Sequence, residues 1–204
     1  MVFDFGGVII TPITTGVGRL AERHGCDPGT MLEVLLGPRR SSDHPWHRAE
    51  RGELAVAEIQ SELGPWAERA DVTLLGDEIA TLLRGDYTVN ESVLERIRGL
   101  RAAGVATALL TNTFAEFRPT LERDLDLGLF DEVIESYAVG ARKPETAIYA
   151  ATADALGVDH GAIAYLDDFD QNLAPAADLG WATIHVNDID SALAELGRLV
   201  AVNS

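Results

Sequence analysis

An α/β architecture, a Rossmann-like doubly wound parallel sheet with an inserted helical cap, is predicted by three features of the sequence. From Asn90 onward, short apolar runs at 105–110, 132–136, 162–166 and 182–186 alternate with stretches of helical periodicity. A block from about Thr11 to Gly85 carries helical signals only. The apolar runs at 2–3, 105–110, 132–136 and 162–166 each end in, or lead to, a polar cluster. In such a sheet ligands bind beyond the carboxyl ends of the strands, so polar groups far apart in sequence can share one site.

Taken in order, the chain opens with Val2-Phe3-Asp4-Phe5-Gly6-Gly7-Val8-Ile9. Asp4 ends a very short apolar run, and only three residues precede it, which leaves room for an N-terminal extension outside the numbering. A carboxylate at a strand tip can attack an electrophile covalently, and Gly6-Gly7 lets main-chain N–H groups approach an anion. Alone, the segment reads equally well as a strand-ending turn. Val17, Leu20 and Ala21 share a helical face before Gly25, and Asp27-Pro28 opens a second helix through Leu36 that Gly37-Pro38 stops. Val56, Ile59 and Leu63 form a further stripe, and Leu75, Ile79, Leu82 and Leu83 another. Asn90 is expected to cap a helix carrying Val93, Leu94, Ile97 and Leu100, ended by Gly104. Pro119 falls in the first turn of the next helix, and Ile148, Tyr149, Ala155 and Leu156 mark one before Gly157. Helices at 172–179 and around Ile189, Leu193, Leu196 and Val200 flank the last strand. The expected division is a core of 1–10 and 88–204, with 11–87 as the cap.

The polar clusters run Asp4, then Thr111-Asn112, then Lys143-Pro144-Glu145, then Asp167-Asp168. That set and order, spread from Asp4 to Asn172, resembles the haloacid dehalogenase superfamily of hydrolases, of the helical-cap type, with a DFGGV variant of the first motif. The resemblance implies a hydrolase in which Asp4 is the nucleophile and forms an aspartyl-phosphate, with Lys143 as its cationic partner. Gly6, Gly7, Thr111, Asn112 and Lys143 would hold the phosphoryl oxygens. Mg²⁺ would sit on Asp4, the Gly6 carbonyl and Asp168, with Asp167 reaching it through water. Bland readings stand beside these: Thr111-Asn112 as a helix cap, Lys143 as a solvated loop lysine, and Asn172 as a helix cap rather than a brace for the metal loop, the cap being preferred. Adjacent acids after a buried strand repel one another without a cation or donors, which favours a metal role for Asp167-Asp168.

Most phosphatases of this superfamily carry a second aspartate two residues after the nucleophile as general acid and base, and this chain has Gly6 there. A slow enzyme, a good leaving group or a replacement such as His47 follows. The same gap admits a 2-haloacid dehalogenase, which works without metal, or a catalytically weak ligand-binding relative. The acidic pair favours a Mg²⁺-dependent phosphatase of small phosphorylated metabolites, a sugar phosphate among them. A receiver domain would place its acidic pair on the first strand and its lysine late, the reverse of this order. Substrate choice is assigned to the segment from Asp43 to Gly52, where Trp46 could meet an apolar face, His47 could move a proton, and Arg48 or Arg51 could bind a second anion. Its plainer reading puts Trp46 in a core and the charged residues in solvated pairs.

Composition narrows the partners. The 204 residues are 47% hydrophobic with a formal charge of −17 and a pI near 4.5. A chain this acidic has no basic stripe for nucleic acid or an anionic membrane. Cys26 is the only cysteine, so no intrachain disulfide forms and a cytoplasmic setting is expected. No Gly-x-Gly-x-x-Gly follows a strand, and no His cluster has transition-metal spacing; His24, His160 and His185 read as helix-end or strand-end residues. A monomer or homodimer acting on a small phosphorylated molecule is the expectation.

Overall fold

Successive side chains on a strand leave on opposite faces, and here that alternation builds two separate cores. In the computed structural model of the chain, which describes residues 1–38, 40, 42–75, 78–83 and 87–202, the strands are β1 (Val2–Phe3), β2 (Ala108–Thr111), β3 (Glu132–Glu135), β4 (Ala164–Asp167) and β5 (Ala182–His185). Phe3, Leu109, Leu166 and Ile184 enter one hydrophobic cluster, and Val2, Ala108, Leu110 and Tyr165 enter the other. All pairings are parallel, in the order β3-β2-β1-β4-β5. Burial on both faces is why these runs lack a polar side.

Between β1 and β2 lie α1 (Thr14–His24), α2 (Pro28–Leu36), α3 (Pro45–Glu50), α4 (Val56–Glu62), α5 (Gly64–Arg69), α6 (Glu78–Leu83) and α7 (Glu91–Ala102). The remaining helices are α8 (Arg118–Asp124), α9 (Ser136–Val139), α10 (Thr146–Leu156), α11 (Asp170–Asp178) and α12 (Ile189–Val202). Val93 and Ile97 of α7, Leu121 of α8 and Leu196 of α12 cover one face of the sheet. Ile148 and Tyr149 of α10 and Leu173 and Ala176 of α11 cover the other. Val17, Met31, Trp46, Ile59 and Ile79, from five of the helices between β1 and α7, meet in a third cluster that Phe114 joins from the far side. The chain leaves the sheet and returns at one place, where Ile10 and Val89 are bridged antiparallel. Among the described residues no helix is long and apolar enough to cross a membrane.

Local chemistry explains most boundaries. Asp27 accepts from the Gly29 and Thr30 amides to start α2, and Gly25 and Gly157 end α1 and α10 in the left-handed conformation. Three expectations need correction. β2 begins at Ala108 rather than 105, because the Thr107 amide donates to the Asp131 carboxylate instead of a ladder partner. Leu75 is 59% exposed and precedes α6; its amide donates to Glu78 in the turn that opens that helix. Gly85, where the block of helical signals is expected to end, lies outside the described residues.

Asn90 is the third correction. It stands at the N-cap position of α7 without bonding that helix; its Nδ2 donates to the Val8 carbonyl at 2.6 Å and its amide to the Ile9 carbonyl. The side chain therefore ties the returning chain to the turn after Asp4. Asn90→Ala should cost about 1 to 2 kcal/mol in urea unfolding. Asn90→Ser, which keeps capping chemistry but not the reach, should lose as much; full stability in the serine variant would restore the capping role.

Candidate active site

The strand order reverses at β1, so the crevice for a ligand opens where β1, β2 and β4 end together. Phe3 is in register with Leu109 and Leu166, which sets Asp4 level with Leu110 and Asp167. The Asp4 amide continues the ladder by donating to the Leu166 carbonyl. Asp4, Thr111, Lys143 and Asp168 all line one cavity of about 570 Å³ beneath the α1–α6 helices.

Lys143 organises the floor of that cavity. Only 1% exposed, its Nζ lies 2.7 Å from Asp4 Oδ1 and 2.8 Å from Asp167 Oδ2, and it donates to the Leu110 carbonyl. Burial opposes its charge, yet the attraction of Asp167 and Asp4 together outweighs burial and holds the ammonium above its ordinary value. Asn112 fixes the lysine from below: its side chain accepts from the Lys143 amide and donates to the Lys143 carbonyl. Thr111 ends β2 and caps no helix.

The two adjacent acids have different surroundings. Asp167 is fully buried, and its oxygens accept from Lys143 Nζ, the Tyr165 hydroxyl, the Phe169 amide and Asn172 Nδ2. Its lone pairs are spoken for. Asn172 thus braces Asp167 rather than capping α11, whose N-cap residue is Phe169. Asp168, by contrast, has a buried Oδ1 with no hydrogen-bond partner among the described residues. Its other oxygen presses on Gly7, where a Cβ would stand 2.1 Å from Oδ2, and Gly7 has φ +74°. Only glycine fits there.

The segment from Asp43 to Gly52 is more firmly engaged than its sequence suggested. Trp46 is buried, with Nε1 donating to Glu50 and its ring edge-on to Phe114. His47 shares a hydrogen bond with Ser42, and burial drives its pKa down to about 3. A neutral imidazole of that kind carries no charge to give up as an acid and is a weak base. Arg48 pairs with Glu62, and Arg51 with Glu53 and Glu145. Of these four, Trp46 and His47 line the cavity.

Sequence reasoning missed Arg142 and Glu50. Their buried ion pair, Nε to Oε2, joins α3 to the residue before Lys143, and Arg142 Nη1 is buried without a partner among the described residues. The signal was faint: two cations in a row before Pro144, and one glutamate in the polar-aromatic segment.

Asp4, Asp167 and Asp168 each have one carboxylate oxygen within 4.8 Å of those of the other two. Three carboxylates against one ammonium leave the cluster short of positive charge. Burial first, and the Asp167 and Asp168 charges with it, raise the Asp4 pKa well above the ordinary value against the pull of Lys143. Burial and then Asp167 push Asp168 up to about 7. An orphaned hard oxygen beside a second carboxylate, with the third already saturated, fits a Mg²⁺-sized cation held by Asp4 and Asp168.

A family model of the haloacid dehalogenase-like hydrolases matches residues 1–180. The chain belongs to that family. Among relatives of this haloacid dehalogenase-like hydrolase, acyl-CoA dehydrogenase family member 10 of Mus musculus is 30% identical over 204 residues, covering 98% of this chain and 19% of that protein. Bifunctional epoxide hydrolase 2 of Sus scrofa is 29% identical, covering 98% and 38%. The chain thus spans well under half the length of these two. A sesquiterpene phosphatase, astK, of Aspergillus oryzae is 27% identical over 98% of this chain and 95% of its own. In fold, the hydrolase is similar to a predicted HAD-like hydrolase from Porphyromonas gingivalis, at TM-score 0.71 and 22% identity over 98% and 96% of the two chains. It is also similar to a HAD family enzyme of Bacteroides thetaiotaomicron in complex with magnesium and inorganic phosphate, at 0.63 and 19% over 90% and 91%. An L-2-haloacid dehalogenase of Xanthobacter autotrophicus gives 0.61 and 17% over 90% and 75%.

The charge imbalance sets a linkage with a definite sign. Between pH 3.8 and about 7 the folded chain keeps a proton on Asp168 that the unfolded chain has released, so in EDTA this group's contribution to stability falls as pH rises through that interval. Melting curves should therefore show Mg²⁺ stabilising the protein near pH 8 and barely near pH 5, with Asp168→Asn losing the difference. An equal Mg²⁺ shift at both pH values would contradict this.

Proposed function

We propose that this hydrolase is a Mg²⁺-dependent phosphatase of small phosphorylated metabolites, with 11–87 as its cap and Asp4 as nucleophile. Lys143 and the Phe5 amide both bind Asp4 Oδ1, which leaves Oδ2 as the attacking atom. Oδ2 forms a bond to phosphorus as the ester P–O bond breaks; the alcohol departs and takes its proton from water. A water then attacks the aspartyl-phosphate, releasing inorganic phosphate and restoring Asp4. Thr111 Oγ1 and the Gly6 and Gly7 amides would hold the non-bridging oxygens, and Asn112 acts by keeping Lys143 in place. A bound Mg²⁺ on Asp4, Asp168 and the Gly6 carbonyl would supply positive charge to the phosphoryl oxygens.

The observation that carries this reading is the partnerless Asp168 Oδ1 beside the nucleophile. A metal-free displacement on a haloacid would bring a third uncompensated carboxylate to the same place, at a cost that grows with burial. A neighbour crystallised with magnesium and phosphate supports the same choice, as does the phosphatase among the relatives. Hydrolysis of p-nitrophenyl phosphate should require Mg²⁺, stop in EDTA and vanish in Asp4→Asn. Chloride release from 2-chloropropionate in EDTA would replace this reading with the dehalogenase.

Gly6 makes a second test available. A Cβ built there meets nothing within 4 Å, so a carboxylate can be restored at the position where many phosphatases keep their acid. Gly6→Asp should speed hydrolysis of alkyl phosphates, whose leaving groups need a proton, by about 10- to 100-fold, short of the full ~10²–10⁴ of acid catalysis. Its effect on p-nitrophenyl phosphate should be small. Equal acceleration of both would mean the new carboxylate acts in some other way.

A further inference from the structure

The cavity above Asp4 has two unlike ends. Its floor is the ionic cluster, whereas Ile13, Phe117, Leu32 and Leu36 of α2 and Leu82 and Leu83 of α6 bring hydrocarbon to its walls, where α1 adds Arg19 and Arg23. Each of the six apolar residues is half-buried rather than buried. They are packed against the first and third clusters and yet keep free surface, and all six line the cavity. Apolar area left open in this way gains about 25 cal/mol for every Å² that a ligand removes from water.

Several of the charged and polar side chains that line the cavity are already matched to one another. Glu50 takes the Trp46 N–H and the Arg142 guanidinium. His47 bonds Ser42, and Arg23 bonds Glu78. Gln171 Oε1 and Arg142 Nη1 are buried without a partner among the described residues, but Gln171 stands three residues from Asp168 and Arg142 next to Lys143, at the phosphoryl end. A sugar ring in the upper cavity would bury several hydroxyls against leucine, isoleucine and phenylalanine, and each unmade hydrogen bond would cost about 1 to 3 kcal/mol. A hydrocarbon body would cost nothing of the kind.

Resting on the phosphatase reading above, we propose that the ester partner of the phosphate is an apolar alcohol, and that this hydrolase takes phosphomonoesters of long-chain or polycyclic hydrocarbon alcohols rather than sugar phosphates. The cavity of about 570 Å³ has room for roughly nineteen heavy atoms at the ~30 Å³ share of one water. The phosphate would sit on the floor and the hydrocarbon against the α2 and α6 wall. Binding energy gained there is present in both substrate and transition state, so it acts on KM more than on kcat.

A series of para-alkylphenyl phosphates tests this while holding the leaving group constant. With Mg²⁺ present, kcat/KM should rise about two- to fourfold for each methylene from 4-methyl to 4-octyl, through KM, and the octyl ester should exceed glucose 1-phosphate and glucose 6-phosphate. Leu36→Gln and Leu82→Gln should flatten the slope, which is read within each variant. A flat wild-type series, or a sugar phosphate preferred to the octyl ester, overturns the proposal. If no phosphate ester is turned over, the phosphatase reading itself has failed, and calorimetry with octylphosphonate and methylphosphonate then decides separately: tighter octylphosphonate binding upholds an apolar-ligand cavity, and equal binding overturns it.

Discussion

One buried ammonium holds the functional end of this protein together. Lys143 lies between Asp4 and Asp167 with almost no contact with water, a position that is tolerable only because two carboxylates and the Leu110 carbonyl surround it. The sheet exists in a form that serves this contact. Asp4 arrives from β1 and Asp167 from β4, neighbouring strands at the point where the order reverses, and the lysine enters on the loop after α9. Asn112 clamps its backbone; Tyr165 and Asn172 clamp Asp167. One ammonium thus answers three carboxylates, and Asp168 keeps an oxygen without a partner among the described residues.

Much of this was legible because it is local. A carboxylate at the end of an apolar run, a Thr-Asn after the next, a lysine before proline and an acid pair after a fourth are strand-end chemistry, and a parallel sheet gathers strand ends whatever their separation in sequence. The helical starts and stops at Asp27-Pro28, Gly25 and Gly157 are equally local. What escaped depends on partners that no window contains. Glu50 and Arg142 are 92 residues apart, Asn90 reaches back to Val8 across 82, and Asn172 turns to Asp167 although its position suits a cap. Asn and Glu side chains suit several roles, and tertiary contact chooses among them.

The contact between the α1–α6 helices and the rest is strongest along α3. There Glu50 meets Arg142, Arg51 meets Glu145, and Gly52, at φ +75°, brings its backbone so close to the Tyr137 carbonyl that a Cβ would stand 2.9 Å from it. A buried ion pair contributes little net stability over an apolar pair of the same shape, but losing one partner strands the other, at about 3 to 5 kcal/mol. Its effect is to fix orientation. Because Arg142 adjoins Lys143 in the chain, the same pair that orients α3 also holds the segment that delivers the buried ammonium.

The contact of Asp168 with Gly7 has an evolutionary consequence. Any side chain at position 7 would occupy the space the carboxylate needs, so the residue can vary only in a lineage that has already surrendered the acid at 168. The two positions form one heritable unit: a descendant that loses the acid at 168 is rid of this clash, and only the left-handed backbone at position 7 then still favours glycine.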